Sequence, residues 1–146
     1  MWNEIEQEKK RAQHLFYVSL KYTKTGDVIL NLLERWEKIT DLCMEILLKK
    51  AKKAKKIKTI PVAPKARELA IRSLYRDETI MKVMSLYSFF RKFPNYEKLR
   101  EHEFRKNVAV RVIGDGKETV INMDQLKEWD NLFCVTFLNQ VRHIAG

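Results

Sequence analysis

Between Arg100 and Asn107 the chain gathers Arg100, Glu101, His102, Glu103, Arg105 and Asn107, its densest mixture of guanidinium, imidazole, carboxylate and amide groups. A histidine beside carboxylates can move a proton near neutral pH or hold a metal. Arg100, His102, Glu103 and Arg105 are therefore the candidates for catalysis. The opposing reading is a set of surface salt bridges, each of small energetic value. On a helix, Glu101 and Glu103 would point to different sides of His102. No second histidine or cysteine stands at ligand spacing, so no metal and no cofactor are expected. His14 and His143 are isolated near the ends and read as structural.

A second concentration is purely cationic. Lys49, Lys50, Lys52, Lys53, Lys55, Lys56 and Lys58 place seven lysines in ten residues and supply most of the formal charge of +10. Between Lys65 and Arg111 twelve basic residues face six acidic ones, and Arg91, Arg100 and Arg105 belong to that set. Such a field suits nucleic-acid phosphate. No aromatic residue is interleaved in the run, so contact through it would read backbone and not bases. The candidate surface is the seven lysines, extended by Arg91, Arg100 and Arg105 if the fold brings them alongside. Two other readings compete: a solvated helix end with no partner, and a basic end that docks an acidic protein. A membrane surface fits poorly, because Ala51 and Ala54 give the segment almost nothing to insert.

The elements that must position these groups follow from composition and period. A chain of 146 residues with 45% hydrophobic residues, four glycines and three prolines reads as one mainly α-helical domain. Met1 to Lys10 do not read as a secretory signal, and no stretch of about 18 apolar residues runs together, so no transmembrane helix is expected. Cys43 and Cys134 fall among apolar neighbours, so buried free thiols in a reducing, cytoplasmic setting are expected.

Ile5, Ala12, Leu15, Phe16, Ser19 and Tyr22 keep helical spacing, as do Ile29, Leu32, Leu33, Trp36, Ile39, Cys43, Ile46 and Leu47. Gly26 would end the first helix and Asp27 would cap the second, whose last turns would carry the lysine run; the two stripes stay in phase across Gly26, so one very long helix is the alternative. Pro61 and Pro64 bound an extended connector, read as a stiff loop. A short helix is expected over 65–75. Asp77 should cap another with the face Ile80, Val83, Met84, Tyr87 and Phe90, stopped by Pro94. A further short helix is expected from Asn95 to about Arg105.

Tyr87, Phe89, Phe90, Phe93 and Tyr96 outnumber what one helix face buries; most are expected in the core, and the competing reading puts one or two rings at a groove or interface. The period then falls to two at Val108, Val110 and Val112, and Asp115-Gly116 signals a hairpin near residues 108–121. Asn122 and Gln125 form the cap of a last helix with the face Leu126, Trp129, Phe133, Phe137, Val141 and Ile144. The sum is a helical bundle with one β-hairpin.

The strings Leu15-Phe16-Tyr17-Val18-Ser19-Leu20-Lys21-Tyr22-Thr23 and Glu103-Phe104-Arg105-Lys106-Asn107-Val108 resemble small archaeal helical proteins, and these in turn resemble the HEPN superfamily. The likeness runs from about Leu15 to the C-terminal helix. It implies an α-helical bundle that often dimerises, in an RNA context. Many HEPN domains are metal-independent ribonucleases whose motif is an Arg followed after four to six residues by a His. No Arg stands at that distance before His14, His102 or His143. The expectation is a non-catalytic domain associated with nucleic acid, RNA before DNA. The alternatives are an interaction or oligomerisation module, and a divergent ribonuclease built on Arg100, His102, Glu103 and Arg105.

Overall fold

A computed structural model describes all residues, 1–146, as five helices and a three-stranded antiparallel sheet. Helix α1 occupies 2–22, as Trp2–His14, a π-helical turn Leu15–Ser19, and Leu20–Tyr22. Helix α2 is Gly26–Lys53, α3 is Pro64–Leu74 and α4 is Glu78–Lys92. After a 3₁₀ turn at Phe93–Asn95 come β1, Glu97–Glu101, β2, Ala109–Gly114, and β3, Lys117–Ile121. Helix α5 covers 123–145 as Met123–Asn131, a π-helical turn Leu132–Thr136, and Phe137–Ala145.

The bundle forms because α2 is the shared wall. Its residues Ile29, Leu32, Leu33, Trp36, Ile39, Cys43 and Leu47 are fully buried. Around Trp36 the rings of Phe90, Trp129 and Phe133 pack with centroids between 5.8 and 6.3 Å away, binding α4 and α5 to α2. Val110 and Val112 turn inward from β2, as their alternation required, and Val108 just before the strand is buried with them. One cluster of 31 buried residues joins all of this.

The termini of the elements carry the expected chemistry in several places. Asp77 accepts the amide of Ile80 at 3.0 Å, and Asn122 accepts that of Gln125 at 2.9 Å. Asp115 and Gly116 sit at φ of 52° and 71°, the paired left-handed conformation of a tight hairpin turn.

Four expectations are corrected. The helix foreseen from Asn95 to Arg105 does not form. Glu97–Glu101 is an edge strand, paired from Glu97 opposite Ile113 to Glu101 opposite Ala109. Its residues favour helices in isolation, but the backbone groups of β2 need partners on both sides, and the ladder wins.

The break between α1 and α2 is real, yet its roles move. Thr25 is the N-cap, Gly26 is already helical and Asp27 lies in the first turn. Along α1 the π-turn adds a residue to one turn and rotates the buried face. Leu20 is therefore buried, while Tyr22 is 78% exposed. Finally, α2 stops at Lys53, so only the first four lysines of the run are helical.

Candidate nucleic-acid interface

All seven lysines of the run are exposed. Lys49, Lys50, Lys52 and Lys53 spread over roughly 160° of α2, opposite the arc of Leu47, Leu48 and Ala51 that faces the core. The helix then closes by a Schellman turn. The amide of Lys56 donates to the carbonyl of Ala51 at 2.9 Å, and that of Lys55 donates to Lys52 at 2.9 Å. Lys55 adopts φ of 61°, the left-handed position that glycine normally fills.

Past the turn, Arg67 fastens the connector, donating to the carbonyl of Pro61 at 2.7 Å and pairing with Glu45 on α2 at 2.7 Å. Of the seven ammonium groups only that of Lys49 is in an ion pair, with Glu45 at 3.5 Å. The result is a fixed scaffold bearing six uncompensated charges.

Of the arginines expected to extend this surface, Arg100 and Arg105 lie at the far end of α2 and Arg91 lies beside its middle. Arg91 lies over the ring of Tyr87, 5.8 Å from its centroid, and acts on the carboxylates of Asp41 and Glu37 at the middle of α2. Arg100 donates to Asp27 at 3.1 and 2.6 Å, at the opposite end of α2. Twenty-two residues of helix, about 33 Å, separate Asp27 from Lys49. Arg105 lies in the β1–β2 loop at that same far end, exposed and without a side-chain partner.

The polar cluster around His102 is a docking joint. Thr25 supplies no side-chain cap to α2. Glu103 does so from the β1–β2 loop, accepting the amide of Gly26 at 3.0 Å. The amide of Phe104 donates to the carbonyl of Lys24 at 2.6 Å, and Arg100 closes over Asp27. Gly26 is needed for this approach, since a Cβ there would stand 2.6 Å from Cγ of Arg100. His102 is exposed, at φ of 54°, and lines a shallow groove with Lys106, Asn107 and Asp124. Arg100, Glu103 and Arg105 line no part of that groove, so the four candidates do not converge on one reacting atom.

Sequence spacing missed two groupings made by contacts between helices. His14 is not isolated. It shares an open groove of about 540 Å³ with Lys10, Arg11, Asn31 and Arg35, where the buried Glu8 holds Arg11 at 2.8 Å and Arg35 at 3.1 Å. On the other side of α2, Tyr87 donates to Asp41 at 2.6 Å beside Glu37. Burial and the neighbouring Asp41 push the Glu37 carboxyl up to about 7, and burial also raises Asp41. None of the larger grooves is lined by either carboxylate.

Burial raises the Cys43 thiol far above its ordinary range and Cys134 to about 12, so neither is a nucleophile near neutral pH. No group of three or more His, Cys, Asp or Glu residues is placed to share a metal ion. No helix is long and apolar enough to cross a membrane. Of the aromatic stretch, Tyr87, Phe90 and Phe93 are buried, while Phe89 and Tyr96 line a groove between α4 and the sheet. Comparison with family models, with curated proteins and with solved structures finds no match to this chain.

Proposed function

We propose that this chain is a non-catalytic, nucleic-acid-associated helical domain that holds phosphate backbone on the lysine-bearing end of α2. The observation that carries this is the fixed presentation of Lys50, Lys52, Lys53, Lys55, Lys56 and Lys58. All six are exposed and unpaired, around a closed Schellman turn. A solvated helix end with no partner would have no reason to place a lysine in the left-handed position, where glycine is cheaper. Phosphates released from their counterions would compensate the six charges at once.

The preference for RNA over DNA, and any pairing into a homodimer, follow from the HEPN resemblance of the sequence. A reducing, cytoplasmic setting accords with two buried free thiols. The catalytic reading loses ground because Arg100 and Glu103 are engaged in holding the loop to α2.

The test is binding of a labelled RNA strand and a labelled DNA duplex at low salt, with the wild-type chain and with Lys50, Lys52, Lys53 and Lys56 changed to Gln. Loss of the duplex and weakened binding of the RNA strand in the variant support the proposal. Retention of both, or capture of an acidic protein in place of either, contradicts it.

A further inference from the structure

A second cationic surface lies at the other end of α2, and unlike the run it contains aromatic rings. Lys21, Lys24, Lys106 and Lys127 line a groove of about 470 Å³ together with Phe16 and Tyr17, and no carboxylate lines it. None of these four lysines is in an ion pair, and Lys24 donates to the carbonyl of Lys21. Tyr17 is 59% exposed, yet its ring is fixed at two points. Phe16 meets it edge-on at 4.8 Å, and its hydroxyl donates to the buried Asp130 at 3.3 Å.

The π-helical turn of α1 makes this arrangement, by rotating Leu20 inward and leaving Tyr17 outward. Next to Lys24, Phe104 is 77% exposed with φ of 66°, held there by the hydrogen bond its amide donates to the carbonyl of Lys24. A bulky residue in the left-handed region with its ring in water is strained and gains no burial, the pattern of a group held for a partner.

Resting on the nucleic-acid reading above, we infer that this groove takes unpaired bases, with Tyr17 and Phe104 as stacking platforms and the four lysines on the adjoining phosphates. Exposed rings beside ammonium groups fit a chain that combines flat bases with negative charge. A duplex offers its phosphates but keeps its base faces stacked inside, so it can use the lysine run and not the rings. An acidic peptide would satisfy the lysines and leave both rings uncovered. The two surfaces thus divide the work: the run binds either form, and the groove prefers the single strand.

The experiment compares a labelled single strand of mixed sequence with its own duplex by fluorescence anisotropy. Tyr17→Ala and Phe104→Ala should each weaken single-strand binding about tenfold and leave duplex affinity unchanged. Phe104→Ala removes an exposed ring only, so it keeps the fold, and Tyr17→Phe should retain most of the affinity. Equal binding of both forms, or single-strand affinity unmoved by both ring deletions, overturns the inference. So does polyglutamate competing for the groove as well as the single strand does. If duplex binding then still falls when the lysine run is neutralised, the broader reading stands; absence of all binding at low salt removes both.

Discussion

Glu103 and Gly26, 77 residues apart in sequence, meet at 3.0 Å, carboxylate to helix amide. This one bond makes the first turn of the longest helix depend on a loop of the sheet. It also turns the most chemically suggestive residues of the chain into a structural joint. Glu103→Ala should therefore lower stability by about 1 kcal/mol, the ordinary worth of an N-terminal cap. His102→Ala, at an exposed position, should change it by less than about 0.5 kcal/mol. Urea unfolding of the two variants checks both, and a reversed order would restore His102 as the residue of interest.

The acidic pair on α2 predicts a pH dependence. Glu37 in the folded chain releases its proton near pH 7, against an ordinary value of 4.5, because it is half-buried beside Asp41. Between those values the folded chain binds a proton that the unfolded chain has lost. Stability therefore falls as pH rises through that window and levels off above it. Asp41, also raised, acts with the same sign. Glu37→Gln should be more stable than wild type above pH 7 and indistinguishable from it below pH 4.5. Unfolding midpoints measured across pH 4 to 8 would show the two curves converging toward acid.

Lys55 offers a test in which stability and binding move in opposite directions. Its left-handed backbone costs a lysine what it does not cost a glycine. Lys55→Gly should stabilise the chain by about 1 kcal/mol and weaken nucleic-acid binding by removing one phosphate contact. Lys55→Asn keeps much of the backbone gain and loses the same charge. Thermal melts and binding on one preparation decide it; binding left unchanged in the glycine variant would show that the charge at this position is idle.

Elements with strong local signals were legible in the sequence. Asp77, Asn122 and Asp115-Gly116 act through bonds spanning two or three residues, and all three serve as their spacing implies. The inward faces of α2, α4 and α5 were legible because burial repeats with the helical period.

What stayed hidden depends on distant partners. Glu97–Glu101 has the composition of a helix and becomes a strand only because Ala109–Gly114 lies beside it. The π-turn of α1 shifts a face with no residue to announce it, so Leu20 and Tyr22 exchange the roles their spacing implied. The lysine run was visible as charge. Its separation from Arg100 and Arg105 was not, because only the length of α2 and the pairing of Arg100 with Asp27 establish it. The joining of Phe16 and Tyr17 with Lys106 and Lys127 brings together α1, the β1–β2 loop and α5, which no local pattern links.

The central claim is electrostatic, so a salt series on a DNA duplex tests it most directly. If four lysines of the run reach phosphates, the logarithm of the affinity should fall with the logarithm of salt at a slope of roughly −3 to −4. Changing Lys50, Lys52, Lys53 and Lys56 to Gln should make that slope much shallower and weaken the affinity. A slope unchanged by those four substitutions, or no binding at low salt, would contradict the account.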